Sequence, residues 1–215
     1  MKAINPNYQV SVCAAWSPNG IDGRYYDYQA LAAATDYLYV MCYDTRSQIF
    51  DQCVASANAP ANLCKNGIEA YRQIGVPDEK LILGIPWYGY RYECVDPAFD
   101  PAVDKTCEIA QVPFRGVNCS DAAGTEVAYS GIRSIINSGL NSSAVMRDSY
   151  MNVPFFNYVD PDTSKVYQVR RKEERSDGAA RTCCERPLPR DIGAFARRFT
   201  GYLLQRDTVP ACYSK

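Results

Sequence analysis

Residues 36–50 read DYLYVMCYDTRSQIF, and this stretch decides how the chain is interpreted. The run YLYVM at residues 37–41 is apolar enough to form a buried strand. It continues directly into Tyr43 and Asp44 before any Gly, Asn or Pro appears. A strand that only fills a core usually ends in such a turn residue, so the phenol and carboxylate at this strand end are candidates for function.

Helical segments and strand-length apolar segments alternate around this stretch. We predict a strand over residues 9–16, a short helix over 26–35, the strand over 37–43, an amphipathic helix over 63–74 ended by Gly75, and a strand over 81–87. Strands that are apolar on both faces and alternate with helices are typical of a parallel sheet covered on both sides. The predicted fold class is α/β.

The second half of the chain is less regular. Residues 94–127 are rich in Pro, Asp, Cys and Gly, which predicts an insertion pinned by disulfides; Cys94, Cys107 and Cys119 are the candidates, and their pairing is open. Residues 129–136 have helical periodicity, and 154–169 predict a β-hairpin with Asp-Pro-Asp at its turn. Residues 170–215 form an unassigned basic tail with one plausible amphipathic helix, over 192–204.

Composition limits the partners and the compartment. A chain of 215 residues with net charge −1 fits one globular domain and gives no electrostatic reason to bind nucleic acid or an anionic membrane. Ten cysteines and two glycosylation sequons, at Asn118 and Asn141, indicate a secretory-route glycoprotein with disulfides. The start MKAINPNYQV does not resemble a signal peptide, so either the start is missing or the cysteines are free.

The chain contains no histidine. This excludes Ser-His-Asp and Cys-His catalysis and histidine-ligated metals, so any catalysis must use Asp, Glu, Tyr, Lys or Cys. No metal or cofactor is predicted. The carboxyl ends of parallel strands are where functional groups meet, which favours Tyr43-Asp44 and Trp87-Tyr88. Each pair also has a purely structural interpretation, as half-buried core tyrosine or as the start of a turn.

The segment VMCYD resembles the M-x-Y-D motif that ends the sixth strand in glycoside hydrolase family 18, the chitinase-like (β/α)8 barrels. The segments AWSPNGID, CVASANAP, LILGIPWYGYRYEC and FFNYVDPDTSKVYQV extend the resemblance over residues 8–169, in particular to chitobiases. It implies that residues 1–169 are the C-terminal part of a TIM barrel, about strands five to seven with the insertion at about 94–127, and that the barrel is incomplete. A whole barrel needs about 250 residues.

The resemblance also implies a site and a substrate. In this family the N-acetyl group of the substrate acts as the nucleophile, with retention of configuration. The catalytic positions carried over are Tyr43 and Asp44, and the substrate-binding positions are Met41, Trp87, Tyr88 and Tyr90. The implied substrate is GlcNAc-β-1,4-GlcNAc in the chitobiose core of N-linked oligosaccharides, handled by a lysosomal, monomeric enzyme without a cofactor.

The departures from the family pattern carry expectations of their own. The general acid of the family is the Glu of D-x-x-D-x-D-x-E, and this pattern occurs nowhere in the 215 residues. We therefore expect the chain to be inactive alone, and to be a fragment, an alternative product or a faulty gene model. The alternatives are a catalytically dead chitooligosaccharide-binding module, a non-functional fragment, or an interaction protein acting through its basic tail.

Overall fold

The computed structural model describes residues 3–45, 52–114, 116–140 and 142–170. All of them fall within the first of two units into which the chain divides, Met1–Glu173. The predicted helix over 192–204 and the sequon residue Asn141 lie outside the described residues.

Eight strands and three α-helices occur in the described part of the chain. In chain order they are β1 Ser11–Ala14, α1 Tyr28–Ala34, β2 Tyr37–Met41, α2 Ala61–Gln73, β3 Leu81–Gly84, β4 Tyr88–Glu93, β5 Gly124–Ala128, α3 Tyr129–Asn137, β6 Met146–Asp148, β7 Val153–Val159 and β8 Val166–Arg170. None of the helices in the described ranges is long and apolar enough to cross a bilayer.

The first three strands form the predicted parallel sheet, in the order β1-β2-β3. Ser11 lies opposite Tyr37, and Leu38 lies opposite Leu81. Because the strands are parallel, their carboxyl ends lie at one edge of the sheet, where Met41 and Gly84 are paired neighbours. This places the segments that follow β2 and β3 side by side.

The helices α1 and α2 cover one face of this sheet. Leu38 and Val40 of β2 are fully buried in a cluster that includes Tyr28 of α1 and Tyr71 of α2. The Tyr71 hydroxyl donates to the Ala15 carbonyl at 2.8 Å, which fixes α2 to the end of β1. The opposite face of β2 carries three side chains that are only half-buried: Tyr37, Tyr39 and Met41. In the described residues, the prediction of a sheet covered on both sides is therefore met on the helix side only.

The helix ends have local causes. Asp27 caps α1 by accepting from the Ala30 amide at 2.9 Å. The Lys80 ammonium donates to the carbonyls of Ala32 and Thr35, which satisfies acceptors that the end of α1 leaves open. Gly75, which follows the end of α2, has a φ of +87°. This left-handed conformation favours glycine.

The remaining strands form a second, antiparallel sheet in the order β5-β4-β8-β7-β6. The predicted hairpin is β7 and β8, with Val159 opposite Val166 and the Asp160 carboxylate accepting from the amides of Asp162 and Thr163 in the turn. The predicted insertion, 94–127, begins directly after β4, and its last residues form most of β5, which pairs with β4. It is thus the long connection of a second hairpin.

Three disulfides occur in the described residues. Cys94 pairs with Cys107 inside the insertion, whereas Cys119 pairs with Cys53 in the segment after β2. The third disulfide, Cys42–Cys64, joins the end of β2 to α2. Among the described cysteines, Cys13 is the free one.

The boundary of the third predicted strand is wrong. The apolar run 81–87 predicts one strand, but β3 ends at Gly84 and the antiparallel strand β4 begins at Tyr88. Pro86 separates the two, because it cannot donate a ladder hydrogen bond. Tyr88 and Tyr90 are therefore residues of the antiparallel sheet.

Candidate functional site

The structure brings four of the six predicted site residues together around one carboxylate. The Tyr88 hydroxyl donates to Asp44 Oδ1 at 2.7 Å, and the Tyr90 hydroxyl approaches the same oxygen at 3.4 Å. Tyr43 precedes Asp44, and its ring lies edge-on to that of Tyr88 with centroids 6.1 Å apart. The cluster thus joins the end of the parallel sheet to the first strand of the antiparallel sheet.

Strand periodicity explains why both Tyr88 and Tyr90 reach Asp44. Side chains two residues apart on a strand lie on the same face, so β4 presents both phenols on one side. Tyr90 in turn stacks on Tyr92 at 5.9 Å, and Tyr92 is fully buried. The aromatic row is therefore anchored in the interior at one end and reaches Asp44 at the other.

Asp44 is held in an uncommon conformation. Its φ of +54° lies in the left-handed region, which a non-glycine residue enters at a cost of about 1–2 kcal/mol. The Asp44 amide donates to the side-chain oxygen of Asn58 at 2.8 Å, and the next residue, Thr45, is fully buried. The carboxylate direction is thus fixed by the backbone as well as by the phenols.

The phenols of the site are kept protonated. Burial raises the pKa of Tyr43, and so does charge repulsion from Tyr39 and Cys13 in their ionised forms and from Asp44. Burial, followed by the hydrogen bond and charge of Asp44, raises the pKa of Tyr88 well above its ordinary value. Burial and Asp44 raise the pKa of Tyr90 in the same way. All three hydroxyls therefore remain hydrogen-bond donors at neutral pH.

The other two predicted residues, Trp87 and Met41, have different surroundings. Trp87 is 65% exposed, and its ring packs edge-on against Tyr129 of α3 with centroids 6.0 Å apart. Met41, the last residue of β2, is half-buried. The exposed indole offers a flat apolar face near the start of β4, whereas Met41 lies at the strand end that carries Tyr43.

Sequence reasoning missed two residues of this region. Asn58 is 2% exposed and donates to the Tyr88 carbonyl at 3.3 Å, in addition to accepting from Asp44. Tyr129 packs against Trp87, and its amide donates to the Trp87 carbonyl at 3.0 Å. No spacing rule indicated either of them, because each lies on a different element from the residue that it contacts.

The chemistry available here is that of a carboxylate and phenols. Within the described ranges, no group of three or more His, Cys, Asp or Glu side chains could hold a metal ion. The cluster offers hydroxyl donors, a carboxylate acceptor and aromatic faces, which together suit a ligand with hydroxyl or amide groups on an apolar ring.

Comparisons with known proteins agree on one family. The profile of Glycosyl hydrolases family 18 matches residues 2–169. Di-N-acetylchitobiase of Rattus norvegicus is 45% identical over 168 residues, which are 78% of this chain and 44% of the rat protein. The Homo sapiens di-N-acetylchitobiase is 44% identical over 153 residues, 71% of this chain and 38% of the human protein. The chain thus spans less than half the length of these relatives.

Solved structures show the same fold at low sequence identity. A plant class V chitinase mutant from Cycas revoluta, in complex with (GlcNAc)3, matches with a TM-score of 0.56 and 19% identity over 80% of this chain and 46% of that chain. The chitinase from Chromobacterium violaceum matches with a TM-score of 0.53 and 20% identity, covering 78% and 44%. The family profile covers most of the described residues and the relatives share 44–45% identity with the chain, so the chain belongs to glycosyl hydrolases family 18.

Proposed function

We propose that this chain carries the acetamide-positioning half of a chitobiase-type site and binds GlcNAc-β-1,4-GlcNAc. The observation that carries the proposal is the Asp44 carboxylate held by Tyr88 and Tyr90 beside Tyr43. The two relatives that match 71–78% of this chain are di-N-acetylchitobiases, and the Cycas chitinase was solved with a GlcNAc oligomer. The natural substrate proposed is the chitobiose core of N-linked oligosaccharides.

In this proposal, Tyr43 orients the N-acetyl group. A phenol is protonated at neutral pH and can donate to the acetamide oxygen, and the raised pKa of Tyr43 acts in the same direction. In a substrate-assisted reaction the acetamide oxygen attacks the anomeric carbon, so holding the group in line lowers the barrier to attack. Tyr43 would supply that alignment.

Asp44 and the surrounding aromatic residues would hold the sugar itself. The Asp44 carboxylate accepts hydrogen bonds, and Tyr88 and Tyr90 fix its direction. The exposed Trp87 ring would stack on a pyranose face, and Met41 would line the floor of the site. Tyr43 and Asp44 are therefore the proposed catalytic positions, and Met41, Trp87, Tyr88 and Tyr90 the proposed binding positions.

The 215-residue chain by itself is proposed to bind without turnover. The D-x-x-D-x-D-x-E pattern that supplies the general acid in this family does not occur in it. Losing acid catalysis of leaving-group departure costs about 10²- to 10⁴-fold in rate. For this chain we therefore propose a catalytically dead module that binds chitooligosaccharides. The alternative is a fragment without function.

The wider setting is proposed on the same basis. The three parallel strands would correspond to strands five to seven of a (β/α)8 barrel, with residues 1–169 as its C-terminal part and 170–215 as an unassigned tail. Three disulfides and an exposed Asn118 in the first sequon fit a glycoprotein of the secretory and lysosomal route. A monomer without a cofactor is expected.

A comparison of two disaccharides tests the proposal. Calorimetric titration of the chain with chitobiose should show binding, whereas cellobiose, which lacks the N-acetyl groups, should bind roughly tenfold more weakly. Tyr43→Phe removes only the hydroxyl that is proposed to donate to the acetamide oxygen. It should therefore remove most of the preference for chitobiose over cellobiose. Equal affinities for the two sugars, or no binding, would refute the proposed site.

A fluorogenic chitobioside tests the second part of the proposal. Incubated with the chain, it should release no more fluorophore than a buffer control. If the chain releases fluorophore and Tyr43→Phe abolishes that release, a general acid must be present in the chain.

A further inference from the structure

Asn58 contacts both segments that build the candidate site. Its side-chain oxygen accepts from the Asp44 amide at 2.8 Å, and its side-chain nitrogen donates to the Tyr88 carbonyl at 3.3 Å. Its own carbonyl accepts from the Thr45 amide and hydroxyl, both at 3.3 Å. One side chain that is 2% exposed therefore connects the segment after β2 with the first residue of β4.

These contacts bear on the least favourable backbone position of the site. Asp44 has φ +54°, and such conformations persist only where the surroundings over-determine them. Asn58 binds the Asp44 amide directly and binds the following residue through its backbone. Without these bonds, Asp44 would be expected to relax towards the right-handed or extended regions and turn its carboxylate away from Tyr88.

We infer that Asn58 is the positioning residue of the sugar-binding site. It sets the Asp44 carboxylate against the Tyr88 hydroxyl by fixing both backbones, and it need not touch the sugar. The inference rests on the proposed function, because the affinity that it controls is the affinity for chitobiose. Both halves of the side-chain amide are required: the acceptor for Asp44 and the donor for Tyr88.

A buried asparagine can also be purely structural, and Asn157 supplies the comparison. Asn157 is fully buried, donates to the carbonyls of Pro101 and Asp104, and accepts from the Gln168 side chain at 3.0 Å. None of these partners belongs to the candidate site. Asn157 therefore serves as a matched control for the general cost of altering a buried amide.

The decisive variant is Asn58→Asp, titrated with chitobiose between pH 7.5 and pH 4.5. The ionised carboxyl group can still accept from the Asp44 amide but cannot donate to the Tyr88 carbonyl. Burial raises the pKa of the introduced carboxyl group, so lowering the pH protonates it and restores the donor. We expect chitobiose affinity roughly tenfold below wild type at pH 7.5, recovering to within about threefold at pH 4.5.

The control and the contradicting outcomes separate this role from simple destabilisation. Asn157→Asp should lower the denaturation midpoint but leave the ratio of its chitobiose affinity to that of wild type unchanged with pH. A pH-independent ratio for Asn58→Asp would overturn the inference. If wild type does not bind chitobiose at all, the proposed function fails, and only the backbone role can then be measured.

Hydrogen exchange of the Asp44 amide measures that backbone role without sugar. Asn58→Ser keeps a polar side chain that is too short to reach both the Asp44 amide and the Tyr88 carbonyl. This variant also replaces Asn58→Asp as the test if Asn58→Asp does not fold. We expect the Asp44 amide to exchange at least about tenfold faster in Asn58→Ser than in wild type, whereas Asn157→Ser should leave its rate unchanged. An unchanged rate in Asn58→Ser would show that Asn58 does not position Asp44.

Discussion

At the scale of single residues, two phenols share one carboxylate oxygen but not equally. The Tyr88 hydroxyl lies 2.7 Å from Asp44 Oδ1, which is the length of a strong hydrogen bond to a charged acceptor, whereas the Tyr90 hydroxyl lies at 3.4 Å. Hydrogen bonds weaken as they lengthen, so Tyr88 should do most of the orienting.

We therefore predict different effects for two matched substitutions. Tyr88→Phe should weaken chitobiose binding roughly tenfold, because it removes a charge-assisted hydrogen bond and leaves Asp44 less constrained. Tyr90→Phe should weaken it no more than about threefold. Titration calorimetry of both variants measures the difference, with Tyr150→Phe as a control because that side chain is 74% exposed. Equal losses for Tyr88→Phe and Tyr90→Phe would contradict the geometry.

At this scale the sequence predicted the functional residues at the strand end but not the residue that positions them. Tyr43 and Asp44 could be found because a buried strand ran into polar groups without a turn. Asn58 could not, because its partners are 14 and 30 residues away in sequence and lie on two different segments. Its role depends on the tertiary fold, which residue type and spacing do not encode.

At the scale of elements, the disulfide between β2 and α2 lies closest to the site. Cys42 is 1% exposed, and it stands between Met41 and Tyr43. Its partner Cys64 lies in the first turn of α2. The bond therefore fixes the point at which the strand ends and the site begins.

Removing this disulfide should affect both stability and binding. The double variant Cys42→Ala/Cys64→Ala opens a loop with a sequence separation of 22, which should lower the free energy of unfolding by about 3 kcal/mol. Chitobiose affinity should also fall, because Tyr43 and Asp44 lose their anchor. Urea unfolding and calorimetry measure the two effects.

The second disulfide provides the control. Cys94→Ala/Cys107→Ala opens a shorter loop, with a sequence separation of 13, inside the insertion; the cost of opening a loop varies only with the logarithm of its length. It should cost a similar free energy of unfolding while changing chitobiose affinity much less. A loss of affinity as large as that of the first pair would mean that general loosening of the fold, and not the strand anchor, controls the site.

Elements were predictable where the pattern was strong and local. The strand β2 and the helix α2 have clear apolar periodicity, and both occur within two residues of the predicted bounds. The strand β5 has the sequence GTEVA and β6 has only three residues, so neither carries a strand signal of its own. They are strands because β4 and β7 lie beside them, which is a tertiary cause.

At the scale of the whole molecule, a buried polar network ties the antiparallel sheet to the insertion. The Arg170 guanidinium binds the Asp148 carboxylate at 2.8 Å and the Gln168 side chain at 2.8 Å. Gln168 continues to Asn157 and to the Lys105 carbonyl. The Arg170 side chain is only 6% exposed, so its charge depends on Asp148 for compensation.

Asp148 makes the stability of this sheet sensitive to acid. Burial disfavours its ionisation, but hydrogen bonds from the Met151 amide and from Arg170, together with the Arg170 charge, outweigh burial and lower its pKa. A carboxylate whose pKa is lower in the folded state stabilises the fold above its unfolded pKa of about 3.9, and this contribution is lost as the pH falls below that value.

Substitution of Asp148 should therefore have a cost that depends on pH. Asp148→Asn leaves Arg170 buried without its counter-charge, which should lower the free energy of unfolding by about 3 kcal/mol at pH 6. Urea unfolding at pH 6 and at pH 3 should show the difference from wild type shrinking at the lower pH, because wild type loses part of the stabilisation by ionised Asp148 once the pH is below the unfolded pKa. Glu93→Gln is the control, because the exposed Glu93–Lys165 pair should contribute less than about 1 kcal/mol. A constant difference between wild type and Asp148→Asn at both pH values would mean that Asp148 stabilises the sheet through the geometry of its hydrogen bonds, independently of its charge.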